Sequence, residues 1–365
     1  MPRKRPATTH PAAERILRWY AAHQRDLPWR KTTDPYAIWV SEIMLQQTRV
    51  RTVLPYYRRF LARFPDVHAL AAASLEEVLK VWENLGYYAR ARHLHTAAQE
   101  IAEHLQGVLP ATEEELLLLP GIGPYTAAAI ASTAYGKRVP AVDGNVRRVL
   151  CRVFAQTGAL DQGRTQRQIF ALAEKLIPQK DPARFNQGLM DLGATVCTPR
   201  KPSCAVCPLD GLCLAAKRGL QGALPVKRRR PVLPHREMVV PVLFDGKGRI
   251  LIVQGPSEGL LAGLWRFPSA EKQQSETMWQ ALRRALKPHV EVRLTRTEEP
   301  VSVRHGYTHF KMTAHAYPCR GREAKPQEAR ERGWKWADPM ELVQLPFSRV
   351  DRKIMQALSL TTART

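Results

Sequence analysis

The sequence predicts a multidomain protein in which a mainly α-helical region is followed by a smaller α+β domain. A chain of 365 residues with 44% apolar residues is long enough to form two or three domains with their own cores. Helical periodicity recurs from about Pro11 onward, and no strand pattern appears before residue 235. Beyond that residue, short segments typical of strands alternate with turn residues, which indicates a change of fold.

Start and stop signals divide the helical region into its elements. A short amphipathic helix is interrupted at Leu27-Pro28-Trp29-Arg30, and Asp34-Pro35 begins the next helix with Asp34 as its N-cap. That helix, YAIWVSEIMLQQT, is apolar on most faces and is therefore predicted to be buried. The further predicted helices cover residues 51–63, 74–83, 88–106, 112–118, 124–135, 144–156, 164–177 and 182–196.

The C-terminal part begins with a segment rich in basic residues, proline and glycine, which predicts an interdomain linker over residues 214–235. Two predicted strands, Glu237–Leu243 and Ile250–Gln254, are joined by a turn at Asp245–Gly248. A helix near Thr277–Leu286 follows, with strands predicted near 290–296 and 310–317. The pattern is that of an α+β domain over residues 236–365.

The charge is strongly basic, with 56 Lys and Arg against 33 Asp and Glu and a formal net charge of +23. Such an imbalance favours nucleic acid as the partner over an anionic membrane surface. No apolar run approaches the ~18–20 residues of a transmembrane helix. The N-terminal MPRKRPATTHP lacks the apolar core of a secretory signal, so we expect a basic arm there and a cytoplasmic, nucleoid-associated location in a bacterial cell.

Four of the six cysteines lie in one short segment. In the absence of a secretory signal, a metal site is favoured over a disulfide framework. One close pair with two wider arms suits structural zinc poorly, and four thiolates in one loop also suit an iron–sulfur cluster, so the spacing alone leaves both metals open. The remaining cysteines, Cys151 and Cys319, are predicted to be buried apolar residues. The four clustered residues are Cys197, Cys204, Cys207 and Cys213.

Three features of the helical region are candidates for chemistry. Glu42 is the one acid of an apolar helix, where burial would raise its pKa and make it a proton donor near neutral pH, unless it faces solvent or pairs with an arginine. The glycine turn Leu119–Thr126 enters a helix and could bind a phosphate, or could be a plain helix–helix turn. Asp143 precedes another helical pattern and could be a reactive acid or only an N-cap.

Four segments taken together resemble the adenine DNA glycosylase (MutY) family, which belongs to the helix-hairpin-helix superfamily with endonuclease III. The resemblance runs from Leu27 to Cys213 in the expected order, and Gly263-Leu264-Trp265-Arg266-Phe267-Pro268 resembles a landmark of that family's NUDIX-like module. It implies a mainly α, two-lobed helix-hairpin-helix glycosylase with a [4Fe-4S] loop, followed by an α+β NUDIX-like domain. The four segments are WVSEIMLQQTRV, LPGIGPYTAAA, VDGNVRRV and NQGLMDLGATVCTPRKPSCAVCPLDGLC.

The resemblance also implies a division of the chain and a substrate. Residues 32–135 would form a six-helix lobe, residues 1–31 with 136–213 a cluster lobe, residues 214–235 a basic linker, and residues 236–365 the NUDIX-like domain. The implied partner is double-stranded DNA containing 8-oxoguanine:adenine or guanine:adenine mispairs. We expect a monomer that does not bind membranes.

In this family the acid at the position of Glu42 protonates the adenine at N7, and the carboxylate at Asp143 stabilises the cationic sugar. The resemblance implies that Tyr125 and Asn145 hold these groups in place. It further implies an adenine pocket that is lined by Trp29, Arg30 and Gln187.

Bifunctional relatives such as endonuclease III carry a lysine nucleophile in the glycine turn, where this chain has Tyr125. Tyrosine cannot form an imine, so base removal without efficient strand cleavage is expected. Residues of the turn would bind a phosphate, with a monovalent cation or calcium beside them. The implied phosphate-binding residues are Gly121, Ile122 and Gly123.

Residues that contact the lesion are implied in both parts of the chain. Gln47 and Tyr87 match family residues that wedge into the base stack, whereas Tyr88 is predicted to be a core residue. The family recognises 8-oxoguanine through a Phe-Ser-His-like hairpin tip, which corresponds here to Tyr307-Thr308-His309.

Three other functions are alternatives to adenine removal. Tyr125 argues against an oxidised-pyrimidine glycosylase and lyase of the endonuclease III type. Retention of both Glu42 and Asp143 argues against a DNA-binding protein without activity, because binding needs neither acid. The helix segment SETMWQALRRALK lacks the carboxylates that hold magnesium in a NUDIX hydrolase, which argues against a nucleotide pyrophosphatase.

Overall fold

The computed structural model describes residues 10–226, 232–256, 258–290, 294–296, 299–321 and 333–361. The chain forms two compact units, the first made of Met1–Ala71 with Thr96–Arg230 and the second of Ala72–His95 with Pro231–Thr365. Most of the predicted basic arm, residues 227–231 of the predicted linker and residues 291–293 of one predicted strand lie outside the described residues.

Helices are the regular secondary structure of the first unit, and no strand occurs among its described residues. Its helix α6 (Tyr88–His104) begins in the second unit and continues into the first. The remaining elements are α1 (Pro11–His23), the 3-10 helix η1 (Pro28–Arg30), α2 (Pro35–Leu45), α3 (Val50–Arg63), α4 (Val67–Ala72), α7 (Glu113–Leu116), α8 (Pro124–Tyr135), α9 (Gly144–Val153), α10 (Gly163–Leu176), α11 (Pro182–Thr195), the 3-10 helix η2 (Cys204–Val206) and α12 (Leu214–Lys217).

Local signals explain where the helices of the site begin and end. The Asp34 carboxylate accepts the N–H groups of Tyr36 and Ala37 at 3.1 and 3.2 Å, so α2 has its predicted cap ahead of Pro35. Helix α8 starts with Pro124 and ends at Gly136, whose φ of 65° is a left-handed conformation that glycine adopts without strain.

Helices α1, α9, α10 and α11 enclose one apolar core. Ile16, Leu150 and Phe185 are buried in it, and the first residues of the predicted linker join it through α12. Gly188 lets α1 approach α11 closely, because a Cβ at this position would lie 2.8 Å from a methyl group of Ile16. Helix α11 is therefore packed directly on α1.

The second unit contains a sheet with a parallel central pair. Strands β1 (His235–Phe244) and β7 (Lys311–Arg320) pair in parallel over their full length, and the other pairs are antiparallel. The order is β3-β2-β1-β7-β5, with β4 beside β1, β6 beside β7 and β8 beside β2. The smaller strands are β2 (Ile250–Gln254), β3 (Trp265–Arg266), β4 (Ala270–Glu271), β5 (Thr295–Arg296), β6 (Val301–Gly306) and β8 (Trp334–Ala337).

Alternation along the strands supplies a core on each face of this sheet. Val240 and Val242 face the core covered by α14 (Pro339–Gln344) and α15 (Arg349–Ala357), whereas Val239 and Leu243 face the core covered by α13 (Met278–Leu286). The second unit also contains α5 (Leu75–Val81) and the start of α6.

The predicted helical region and the later α+β domain are both confirmed. Helix α2 begins as predicted and β2 covers the predicted residues, so the capping residues and the turn residues were sufficient signals there. Strand β6, strand β8 and helices α14 and α15 were not predicted, because their short apolar runs are interrupted by charged residues. Among the described residues, no helix has both the length and the apolar character needed to cross a membrane.

Candidate active site

The first unit contains a cleft with a volume of about 1540 Å³. Its walls come from η1, the end of α2, the starts of α8 and α9, and residues of α10 and α11. These elements bring together predicted residues that lie more than a hundred positions apart in the sequence. The predicted residues that line the cleft are Trp29, Arg30, Glu42, Gln47, Gly123, Tyr125, Asp143, Asn145 and Gln187.

Glu42 lies on the inner face of α2 and has few groups that would stabilise its charge. The Tyr125 hydroxyl donates to Glu42 Oε2 at 2.8 Å. Burial raises the pKa of Glu42 to about 7 and the negative charge of Asp143 adds to the shift, while the Tyr125 hydrogen bond and Arg30 act against it. Glu42 therefore exchanges a proton near neutral pH, as a general acid must.

Tyr125, in the first turn of α8, is a permanent hydrogen-bond donor to this acid. Burial and the charges of Glu42 and Asp143 hold the pKa of its phenol far above the usual value. Met190 Sδ lies 3.6 Å from the same hydroxyl and packs against the ring from α11. Deprotonation of Tyr125 at neutral pH is therefore disfavoured, and the side chain orients Glu42.

Asp143 is the N-cap of α9, as one of its two interpretations predicts, and it also lines the cleft. Its Oδ1 accepts the N–H of Val146 at 2.7 Å and caps α9, and its Oδ2 accepts from Asn145 Nδ2 at 2.7 Å. Burial raises the pKa of Asp143, and these hydrogen bonds counteract the rise. Gly193 admits Asn145, because a Cβ on this glycine would lie 2.6 Å from the Asn145 Cβ.

Arg30 is held in the cleft by Asp191, which the sequence did not single out. The Asp191 carboxylate is fully buried and accepts both terminal nitrogens of Arg30, with Nη2–Oδ1 at 2.6 Å, and Arg25 Nε at 2.7 Å. Burial alone would raise its pKa, but hydrogen bonds and charge from the two arginines hold the pKa of Asp191 below the usual range.

Gln187 is oriented from α1. The Tyr20 hydroxyl donates to Gln187 Oε1 at 2.6 Å, which leaves the amide NH₂ as the donor that this side chain presents at the cleft. The Arg30 guanidinium lies 5.5 Å from the centre of the Tyr20 ring. Trp29, by contrast, is buried with its ring edge-on to Tyr57 at 5.2 Å.

The glycine turn joins α7 and α8 as a helical hairpin. Gly121 has a φ of 77°, so the turn requires glycine there. The N–H of Ile122 is already bonded to the Leu119 carbonyl at 3.2 Å. The N–H groups of Gly121 and Gly123 donate to no atom of the described part of the chain, and they are the groups of this turn that suit an anion.

The four clustered cysteines surround one small pocket and form no disulfide. Burial, together with the charges of the other three cysteines, raises the pKa of Cys207 to about 11, while a backbone hydrogen bond at Leu209 acts against the rise. Within the described residues, no group of three or more His, Cys, Asp or Glu is arranged to hold a single metal ion. Cys151 and Cys319 are buried, as predicted.

Two arginines of α9 fasten the cysteine loop. Arg152, almost fully buried, donates to Cys197 Sγ at 3.2 Å and to the Thr198 carbonyl at 2.7 Å. Arg148 donates to the Cys197 carbonyl at 2.8 Å and to Asn145 Oδ1 at 2.8 Å. The loop and the residue that holds Asp143 are thus joined through α9.

The predicted lesion-contacting residues of the second unit lie on two segments that meet. The Tyr87 hydroxyl and Thr308 Oγ1 are 3.0 Å apart, and both residues are exposed. Tyr307 packs instead between His305 and Phe310, with ring centres 4.7 Å away in each case, and His309 is exposed. Tyr88 is a core residue, as predicted.

Gln47 and Tyr87, the two predicted wedge residues, share a backbone conformation. Their φ angles of 57° and 51° fall in the left-handed region, which residues other than glycine seldom adopt. Such strain is kept where the surroundings impose it and often marks a functional position.

The residues that orient the predicted site residues were not themselves predicted from the sequence. Tyr20, Arg148 and Asp191 orient predicted site residues, and Asp191 could have been noticed as an acid in the apolar stretch of α11, four residues after Gln187. Basic residues also line the cleft without having been predicted. They are Arg49, Arg51, Arg147 and Arg167.

Comparison with known families agrees with this architecture. The family described as HhH-GPD superfamily base excision DNA repair protein matches residues 40–179, and the NUDIX domain family matches residues 239–357. Of the solved structures, a thermostable thymine-DNA glycosylase aligns with a TM-score of 0.53 and 33% identity over 56% of this chain and 95% of that chain. A trapped endonuclease III–DNA covalent intermediate aligns with a TM-score of 0.50 and 23% identity over 57% and 95%. The fold and the cleft thus define a helix-hairpin-helix base excision repair protein.

Curated relatives narrow this class. The adenine DNA glycosylase of Homo sapiens is 36% identical over 401 residues, which covers 93% of this chain and 72% of that protein. The adenine DNA glycosylase of Buchnera aphidicola subsp. Acyrthosiphon pisum is 32% identical over 296 residues, which covers 81% and 82%. The chain belongs to the adenine DNA glycosylase family, and it is a DNA glycosylase.

Proposed function

We propose that this enzyme removes adenine mispaired with 8-oxoguanine, and also with guanine, from double-stranded DNA. The observation that carries the proposal is the pair of acids at the cleft floor, where Glu42 has a pKa of about 7 and Asp143 is held by Asn145. Cationic residues along the cleft suit a DNA backbone, which fits the net charge of +23.

Each acid has one role in breaking the bond between adenine and deoxyribose. Adenine is a poor leaving group, so Glu42 donates its proton to N7 as the bond stretches. The sugar becomes cationic, and the Asp143 carboxylate stabilises that charge as the second carboxylate does in glycoside hydrolysis. Water then adds to the sugar and leaves an abasic site. Tyr125 keeps Glu42 aimed at the base through the 2.8 Å hydrogen bond.

The adenine must leave the duplex to reach these acids, at a cost of a few kcal/mol. We propose that Trp29, Arg30 and Gln187 line the pocket that receives it. The amide NH₂ of Gln187 and the fixed guanidinium of Arg30 are donors suited to the acceptor atoms of a base.

Lesion recognition and duplex opening are assigned to the predicted residues of both units. Gln47 and Tyr87 would wedge into the stack, and their left-handed backbones support this role. Thr308 and His309 would contact 8-oxoguanine, and Tyr307 would shape their loop from beneath because it packs on Phe310. We also propose the two predicted lobes, a six-helix lobe of residues 32–135 and a cluster lobe of residues 1–31 with 136–213.

The hairpin turn would bind a phosphate of the DNA. Gly121 and Gly123 present their N–H groups, whereas Ile122 serves the turn itself through its bond to Leu119. A monovalent cation or calcium beside the turn would strengthen this contact with the phosphate.

The lining of the cysteine pocket supports a [4Fe-4S] cluster in this loop. Four thiols surround a space rather than a point, Val149, Val153 and Leu192 exclude water, and buried Arg152 offsets the negative charge of thiolates. We propose that Cys197, Cys204, Cys207 and Cys213 hold the cluster. The cluster would fix the loop that Arg148 and Arg152 attach to α9.

The alternative is an oxidised-pyrimidine glycosylase and lyase of the endonuclease III type. A lyase needs an amine nucleophile at the cleft, but the position in the first turn of α8 holds Tyr125, whose hydroxyl is engaged with Glu42. Base removal without strand cleavage is therefore the expected outcome.

One assay separates the two. Purified enzyme is incubated with duplexes carrying adenine opposite 8-oxoguanine, guanine or thymine, and the products are resolved with and without alkali. We expect strand breaks at adenine only opposite the two purines and only after alkali. A lack of abasic product would refute the proposal, and alkali-independent cleavage at an oxidised pyrimidine would favour the alternative.

A further inference from the structure

The second unit contains a carboxylate that joins its helical segment to its sheet domain. Glu83, just after α5, accepts the N–H of Phe347 at 2.9 Å and Arg352 Nε at 2.7 Å through Oε1. Lys80 Nζ donates to Glu83 Oε2 at 3.0 Å and to the Leu345 carbonyl at 3.2 Å. The side chains of Glu83 and Arg352 are only 12% and 19% exposed.

Neighbouring contacts spread this junction along the same helical segment. The Trp265 indole donates to Glu76 Oε2 at 2.8 Å, and Arg92 donates to the Gly259 carbonyl at 2.8 Å. Gly263 approaches Leu79 so closely that a Cβ would lie 2.9 Å from its methyl group. The segment therefore has one defined position on the domain.

The same segment presents Tyr87 to Thr308. Between Glu83 and Tyr87 the chain turns through Asn84 and Gly86, with φ angles of 70° and 80°, and the Trp82 indole donates to the Gly86 carbonyl at 3.1 Å. Glu83 and Tyr87 are thus joined by a short turn that Trp82 holds through this hydrogen bond.

The other route from Glu83 leads through α15 to the loop that holds Thr308. Phe347, whose N–H Glu83 accepts, belongs to the core against which Tyr307 packs. Lys353, adjacent to Arg352 in α15, donates from Nζ to the Arg304 carbonyl of β6 at 2.8 Å. On both sides of the Tyr87–Thr308 contact, the chain lies within a few residues of groups that contact Glu83 or adjoin its partner Arg352.

We propose that Glu83 is a positioning residue that sets the strength of 8-oxoguanine recognition by fixing Tyr87 against Thr308. The inference rests on the proposed function. A partly buried carboxylate that satisfies two cations and a backbone N–H specifies one arrangement, and its loss leaves both cations beside one another without their shared partner. The cleft of the first unit keeps its own residues, and guanine offers no 8-oxo group to the Thr308 loop, so excision of adenine opposite guanine depends on Glu83 only through the role of Tyr87 in opening the duplex.

The test compares Glu83→Gln with Glu341→Gln, which removes a more exposed carboxylate of the same unit, paired with Lys335. Single-turnover adenine release is measured on 8-oxoguanine:adenine and guanine:adenine duplexes, with rates corrected for the active fraction. For Glu83→Gln we expect the 8-oxoguanine:adenine rate divided by the guanine:adenine rate to fall about tenfold, which is a usual size for coupling between sites. The guanine:adenine rate should fall less than the 8-oxoguanine:adenine rate, because Tyr87 also serves duplex opening, and both rates of the control should stay at the wild-type level.

Lys80→Gln provides a second, milder variant, because it retains the Arg352 contact; the ratio should fall in the same direction but less. Amide hydrogen exchange of residues 304–311 should quicken in Glu83→Gln and not in Glu341→Gln. An unchanged ratio, or equal losses on both duplexes, would overturn the inference and leave the proposed function intact. Failure of the wild-type enzyme to release adenine from either duplex would overturn both.

Discussion

The first unit contains two buried acids with opposite electrostatic surroundings. Glu42 lies at the cleft floor beside Tyr125, and Asp191 lies in the arginine clamp, which it forms with Arg25 and Arg30. Glu42 receives one hydrogen bond, from a neutral phenol, and burial raises its pKa to about 7. Asp191 receives two guanidinium groups, which hold its pKa below the usual range despite complete burial. The difference lies in the partners rather than in the depth. An acid with cationic partners remains a charged strut, whereas an acid without them can exchange protons at working pH.

The largest expected effect is on catalysis at the floor. Glu42→Gln keeps the shape and can still accept the Tyr125 hydrogen bond, but it cannot donate a proton as an acid does. We expect single-turnover adenine release to fall about a thousandfold, within the range for a general acid, while DNA binding stays near the wild-type level. Rates and dissociation constants measured on the same 8-oxoguanine:adenine duplex check both statements.

Glu174→Gln is the matched control, because Glu174 also lines the cleft but is exposed. It should retain both rate and binding. If Glu42→Gln lost binding and catalysis to the same degree, Glu42 would be structural and the contrast with Asp191 would disappear.

The clamp should show the reverse pattern, with stability as the main loss. Asp191→Asn leaves Arg25 and Arg30 without their shared carboxylate, and breaking a buried pair in this way costs about 3–5 kcal/mol of unfolding free energy. Asp26→Asn, which removes an exposed partner of Lys31, should cost no more than about 1 kcal/mol. Urea unfolding of the three proteins compares these values, and a loss below about 1 kcal/mol for Asp191→Asn would mean that the clamp is not a strut.

The two regions also differ in how well the sequence predicts them. Glu42 stands out because it interrupts an apolar helix, and Asp143 because it precedes a helix, so both are visible in local sequence. The clamp depends on Arg30 and Asp191 meeting across 161 positions, which local patterns do not encode. Strands β6 and β8 escaped prediction for a different reason, because runs of six and four residues that are interrupted by charged residues are too short for a local pattern to stand out.

The smallest expected effect is the loss of stability that results from burying Glu42 with a phenol, rather than a cation, as its hydrogen-bond donor. Its pKa is raised from 4.5 to about 7 in the folded protein, so the wild-type protein loses stability relative to Glu42→Gln as pH rises through that window. Below pH 4.5 the acid is neutral in both states and the two proteins should be equally stable, apart from the substitution itself. Above pH 7 the inactive variant should be the more stable by about 3 kcal/mol, because raising the pKa from 4.5 to about 7 costs about 1.4 kcal/mol for each pKa unit. Urea midpoints of both proteins from pH 4 to pH 8 measure this difference, with Glu174→Gln expected to give a constant offset. A constant offset for Glu42→Gln as well would show that Glu42 ionises in the folded protein as it does in the unfolded chain, and the contrast with Asp191 would then rest on geometry alone.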